Sequence, residues 1–258
     1  MVNTLTEKEL QILQKYRLTS ESMHTFNVYQ LMDEIYLKEF ISKIVQMIGA
    51  PSEKVAASIF MKRFAFVAVI SLFAMSVWNK KLNVQLNMIE MEWPEKGENW
   101  IPTINLNDLN FEELNQNCQS RSLWRQGIIE DLFLKNISPL IDKFKKTMGI
   151  SQTILWENIA VYVFWLYEME LKENHQQAID DFHYIIFEAD GSLFGYHHKG
   201  NPLQKYYGKK TFIDNGAELR IRKTCCYNYL LNSMKRCKTC PCISRKMETK
   251  SFKKHLIE

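Results

Sequence analysis

Phe64-Ala-Phe-Val-Ala-Val-Ile-Ser-Leu-Phe-Ala-Met-Ser-Val-Trp78 is the longest uncharged apolar run in the chain, with Lys62-Arg63 before it and Lys80-Lys81 after it. It holds 15 residues, whereas a bilayer span needs about 20. It therefore predicts a helix buried in a protein core, and because it is apolar nearly all round, the central helix. Pro51 opens that helix, as proline favours the first turn. Upstream, the apolar residues of 26–48 (Val28, Leu31, Met32, Ile35, Phe40, Ile41, Ile44, Val45, Ile48) recur at spacings of three and four, which predicts a helix with one wide apolar face and Gly49 as its stop. Thr6 and Glu9 fit a capping box, with Leu5 and Leu10 placed as a hydrophobic staple.

Downstream, residues 83–93 approximate a period of two and predict a short β element. Helices are expected over 119–135, again from Pro139 with Ser138 as cap, and from Ser151 to about residue 172. Beyond Asn174, residues 184–187 and 193–196 predict two short strands around Asp190-Gly191. Residues 211–213 and 218–222 predict a hairpin around Asp214-Asn215-Gly216. The expected class is α+β: a predominantly α-helical body, with short β hairpins preceding a C-terminal metal-binding segment. The expected division is a mainly helical domain over 1–174 and a small β-containing region over 175–258.

Composition and charge narrow the classes. The chain has 258 residues, 46% hydrophobic and 24% charged, with 15 Phe, 11 Tyr and 6 Trp, which excludes disordered and low-complexity chains. Glu7, Lys8 and Glu9 stand where an export signal would have its apolar core, so a cytoplasmic protein is expected. Residues 201–258 carry 14 Lys and Arg against 4 Asp and Glu, a net of +10, while the preceding residues sum to −6. Such a gradient suits an anionic ligand, a nucleic acid or a membrane surface.

Five of the six cysteines fall in the same basic tail: Cys225, Cys226, Cys237, Cys240 and Cys242. Cys118 stands alone and reads as a small buried hydrophobe. A disulfide framework requires an oxidising compartment and adds little to a chain with an ample core. A thioredoxin-like Cys-x-x-Cys opens a helix after a strand, whereas Cys237 to Cys240 lies in a basic segment closed by Pro241. Thiolate metal ligation remains, helped by nearby Lys and Arg that offset the gathered negative charge. The vicinal pair Cys225-Cys226 is not a zinc knuckle, and neither is it a common ferredoxin spacing, so zinc and iron–sulfur both stay open on spacing alone.

Cys225-Cys226, ten residues, Cys237, two residues, Cys240 and then Pro241, near the end of a basic segment, resembles the motif of the FhuF-like ferric siderophore reductases. The resemblance implies that Cys225, Cys226, Cys237 and Cys240 hold a [2Fe–2S] cluster, that Cys242 is an addition to the pattern, and that the C-terminal segment is an iron–sulfur segment. It implies a cytoplasmic oxidoreductase passing one electron to Fe(III) inside a siderophore, so that Fe(II) is released. No general acid or nucleophile is needed for that step.

If residues 218–222 are a strand, Leu219 and Ile221 point inward and Arg220 and Arg222 outward. Arg220, Arg222, Lys223 and Arg236 are the candidates for drawing in an anionic ferric siderophore. His197 and His198 read as surface histidines. The 9 glycines form neither a dinucleotide nor a P-loop fingerprint. An external electron donor protein or reductant is therefore expected, with transient association with a siderophore importer and no nucleic acid as partner. The competing readings are a zinc-stabilised nucleic-acid-binding module, with Tyr227 and Tyr229 as stacking residues, and a zinc-stapled protein-interaction module.

Overall fold

In a computed structural model, the described residues are 3–21, 24–96, 100–114, 120–171, 176–195, 200–212, 218–231 and 236–242. Its axis is α3 (Glu53–Trp78), in which every residue from Val55 to Ser76 is buried except Lys62 and Arg63. Ser52 caps its start and Asn79, at φ 55°, its end. By length and composition α3 is able to cross a bilayer, yet 89% of its apolar window is buried inside the fold, as the uncharged run predicts.

The remaining helices wrap this axis. The capping box at α1 (Glu7–Gln14) forms as the sequence predicts: the Thr6 amide donates to Glu9 and the Glu9 amide to Thr6. The helix expected over 26–48 is shorter, because α2 (Glu34–Ile48) starts only after Asp33. Thr25–Asn27 is strand β1, and Val28–Met32 a 3₁₀ turn. The Asn27 side chain accepts from the Tyr29 amide and Asp33 from Tyr36, and such local bonds outcompete helix propagation. Gly49 ends α2 at φ 62°, a conformation cheap only for glycine.

Ser138 does not cap a helix. It is buried and helical within one continuous run: α4 (Arg121–Leu132), a π turn (Phe133–Ile137) and α5 (Ser138–Met148). Pro139 has no N–H to give the ladder, and the π turn shifts the register just ahead of it. Next comes α6 (Gln152–Trp165), capped by Ser151 and prolonged by a π turn (Leu166–Glu170), followed by α7 (Gln176–His183). The strands expected over 184–187 and 193–196 are helical instead, a π turn (Tyr184–Glu188) and a 3₁₀ turn (Gly191–Phe194). Ile185 and Ile186 are both buried, which a period of two forbids and a helix allows. Asp190 caps the Ser192 amide. Tyr196, His197, His198 and Cys118 lie outside the described residues.

Short antiparallel sheets close the sides. Besides β1, the strands are β2 (Lys80–Leu82), β3 (Ile89–Glu92), β4 (Ile104–Leu106) and β5 (Phe111–Glu113), with β6 (Thr211–Phe212) and β7 (Glu218–Leu219) near the cysteines. The order β1-β3-β4 aligns Phe26, Met91 and Ile104, all buried, while Glu90 and Glu92 alternate toward solvent. β2 pairs with β5, and β6 with β7. The hairpin expected around Asp214-Asn215-Gly216 thus forms, its turn lying outside the described residues. One hydrophobic cluster runs from Leu5 to Leu231, with Phe60 stacked on Phe144 at 5.0 Å and on Phe64 at 5.9 Å. The class is α+β, with the cysteines after the helices.

Candidate metal centre

The cysteine segment rests on the contact between α3 and α6. In the apolar sequence of α6 two neighbours are polar, Glu157 and Asn158, and both are buried. Asn158 Nδ2 donates to the Ser58 carbonyl at 3.0 Å, and its Oδ1 accepts from Arg222 Nη2 at 2.6 Å. Ser58 Oγ donates to the Cys226 carbonyl at 3.0 Å. Glu157 accepts the backbone N–H groups of Lys223 at 2.6 Å and Thr224 at 2.7 Å, together with the Thr224 hydroxyl, and lies 3.8 Å from Arg222 Nε. Residues 222–226 are therefore clamped on the body by a buried carboxylate, amide and hydroxyl, with the backbone donors of Lys223 and Thr224 and the Arg222 Nη2 each meeting an acceptor, while Arg222 Nε has only the ion-pair contact.

The second cysteine segment returns to the first. The Arg222 amide donates to the Thr239 carbonyl at 2.9 Å, and a turn closes from the Cys240 amide to the Cys237 carbonyl at 3.0 Å. Five sulfurs gather in two groups. Cys226 and Cys237 lie 3.1 Å apart, and Cys225, Cys240 and Cys242 all lie within 4.8 Å of one another. None is in a disulfide; Cys226 and Cys240 are buried, the other three half-buried.

The electrostatics favour a thiolate at Cys226 and oppose one at Cys225 and Cys237. The Cys237 thiol, with Lys62 and Arg222 nearby, holds Cys226 well below the ordinary thiol range despite burial, and Cys237 is pushed up in turn. Burial pushes Cys225 up to about 11, opposed by the Tyr227 amide, which donates to its sulfur at 3.4 Å. Tyr227 takes φ 61°. Lys62 Nζ reaches Asn228 Oδ1 at 3.4 Å; Arg236 points Nη1 at Cys240 Sγ, 4.0 Å away, and covers the Tyr229 ring at 4.2 Å. A set of five free, partly desolvated sulfurs flanked by cations has the donor chemistry of an iron–sulfur or zinc site and fits either group.

The four motif cysteines thus fall in two groups, Cys226 with Cys237 and Cys225 with Cys240, and Cys242, an addition to the sequence pattern, joins the second. The cationic candidates divide. Arg222 faces inward, 5% exposed, correcting the outward orientation expected from strand alternation. The ladder stops at Leu219, so alternation does not extend to residue 222. Arg220 is taken up by Glu168 at 2.6 Å and by the Tyr207 ring at 3.8 Å. Lys223 Nζ donates to the Lys205 carbonyl at 2.5 Å, and Arg236 stays exposed beside the sulfurs. Glu157, Asn158 and Ser58 escaped the sequence reading. Their available signal was two consecutive polar residues inside an apolar helix.

No curated protein matches the chain. Residues 98–210, less than half of the chain, match the family model of the ferric iron reductase FhuF-like transporters. That region carries α4 to α6, and with them Glu157 and Asn158, but stops short of the cysteines whose spacing resembles the same family. The chain accordingly carries a FhuF-like region, over residues 98–210, that supplies Glu157 and Asn158 of the clamp on which its cysteine cluster is mounted.

Proposed function

We propose that the protein is a cytoplasmic ferric siderophore reductase with a [2Fe–2S] cluster at the cysteine site. Supporting this reading is one observation above others: the sulfurs form a pair, Cys226 and Cys237, joined through the vicinal Cys225 to a group with Cys240 and Cys242. A pair and a second group on adjacent residues suit a two-iron centre better than one zinc ion, which takes four ligands around a single point. The FhuF-like match over residues 98–210 supports the reductase class independently of the cysteines.

A bound [2Fe–2S] group supplies one electron at a time. The chain's own part is to hold the sulfurs, through Glu157 and Asn158, and to place Arg236, Lys62 and Lys223 so that an anionic chelate is drawn toward them. Ferric iron within the chelate is the substrate: it gains one electron and leaves as the more weakly held Fe(II). The electron comes from an external donor, a ferredoxin-like or flavin-bearing protein or a small reductant, and association with a siderophore importer would deliver the chelate.

Stopped-flow mixing tests the reading. Dithionite-reduced protein, freed of excess reductant and mixed anaerobically with ferric citrate, should reoxidise and release one Fe(II) per cluster to a ferrous chelator. Reduced protein that keeps its electron in the presence of ferric citrate and of uncharged ferric hydroxamates would overturn it. The zinc reading draws on the group Cys225, Cys240 and Cys242, which alone is compact enough for one ion.

A further inference from the structure

Lys62 and Arg63 are the only residues between Val55 and Ser76 of α3 that are not buried. Lys62 is accounted for by Asn228 and the cysteines. Arg63 Nε is buried without a hydrogen-bond partner, and so is Nη1 of Arg17. Arg17 covers the Phe66 ring at 3.8 Å, and Phe66 lies one turn from Arg63 and 4.8 Å from the Tyr162 ring, whose hydroxyl Arg63 engages. Among the described residues neither guanidinium has a carboxylate within 4.0 Å.

Two guanidiniums thus lie about one aromatic platform with no carboxylate beside them, and only the Cys226 sulfur offsets Arg63. Burial and the neighbouring Arg63 charge push Arg17 down to about 10, and burial likewise lowers Arg63, opposed by Tyr162 and the Cys226 sulfur. An uncompensated cation is costly to keep in a protein interior. Arg17 also stands at φ 74°, where glycine would be at ease and a long side chain is strained. Its backbone is pinned by the Ile104 amide, which donates to the Arg17 carbonyl at 2.8 Å, so the guanidinium is held over Phe66.

We propose that Arg17 and Arg63, with the Tyr162 hydroxyl, form an anion subsite on the helical body that takes a carboxylate of the ferric chelate beside the cysteines. The assignment rests on the reductase reading for the identity of the chelate. It places recognition on residues of the helical body, in the turn after α1, on α3 and on α6, rather than on the basic residues of the tail itself. A bidentate carboxylate suits guanidinium donors, and it would supply the carboxylate that neither arginine has.

The test is calorimetric titration of the full-length, cluster-loaded protein with gallium(III) citrate, which mimics ferric citrate and accepts no electron. Arg17→Gly removes the cation while relieving the backbone, so its melting temperature should hold or rise. Arg63→Gln is the second variant. Each should weaken gallium citrate binding at least tenfold, while inorganic phosphate binds the wild type at least tenfold more weakly than gallium citrate does. No gallium citrate binding by the wild type, unchanged affinity in a folded Arg17→Gly, or phosphate binding as tight as gallium citrate would each overturn the subsite. Loss of ferric reduction alone, with these affinities as expected, would overturn the reductase reading and leave the subsite standing.

Discussion

Replacing Glu157 with Gln strikes the joint between the helical body and the cysteines. The carboxylate is 1% exposed and takes two backbone amides, a hydroxyl and the Arg222 guanidinium. Glutamine keeps one acceptor oxygen and turns an NH₂ toward donors, so a buried N–H loses its acceptor, at about 1–3 kcal/mol. Arg222 keeps Asn158 but loses its carboxylate, and breaking a buried ion pair from one side costs about 3–5 kcal/mol. The two losses share one site and do not add. A net of about 3 kcal/mol for detaching residues 222–226 corresponds to a roughly hundredfold rise in the detached population. Cys226 is 1% exposed, so its labelling by a thiol reagent in protein stripped of metal, followed by mass spectrometry, reads that population. Labelling should accelerate by roughly the same hundredfold factor. The double variant Glu157→Gln/Arg222→Met should recover part of the protection, because no orphan charge remains. Wild-type labelling rates in a Glu157→Gln protein of unchanged melting temperature would refute the clamp.

Serine replacement of Cys225, Cys226 or Cys237 should abolish stoichiometric iron binding, measured as iron and acid-labile sulfide per chain, while Cys118→Ser should not. Cys240→Ser and Cys242→Ser should each leave a bound but altered centre, visible as a shifted absorption and EPR spectrum, since both sulfurs lie in the group with Cys225. NADPH added anaerobically to oxidised protein should leave the cluster absorbance unchanged, and rapid bleaching would reveal a nucleotide site the glycine pattern does not encode. Asp181→Ala should lower stability by about 3–5 kcal/mol in urea unfolding, because the buried carboxylate pairs Arg121 at 2.6 Å and Arg125 at 3.1 Å and accepts from Ser76.

What the sequence discloses is local. The apolar run from Phe64 to Trp78, the Thr6–Glu9 box, the Gly49 stop and the Asp-Asn-Gly hairpin each depend on neighbours within a few positions, and each forms. The cysteine motif is legible for the same reason, since its four members span sixteen positions. The clamp is not legible, because Glu157 meets Lys223 and Thr224 across more than sixty residues, and only packing of α3 on α6 brings them together. Residues 184–187 misled because a four-residue apolar run has no period of its own. Arg222 misled because alternation was extended past a ladder that ends at Leu219. Arg17 and Arg63 went unnoticed because an arginine in a sequence reads as solvated, and only burial shows that each has a nitrogen without a hydrogen-bond partner.

A [2Fe–2S] centre seated in the five cysteine sulfurs is checked on protein purified under anaerobic conditions, with metal analysis, visible absorption and EPR on one sample. The protein should be red-brown with two irons and two labile sulfides per chain, bleach on adding dithionite while a spin-half signal appears, and regain its colour on adding ferric citrate. A colourless protein with one zinc per chain, unable to take up iron and sulfide on reconstitution, would contradict it.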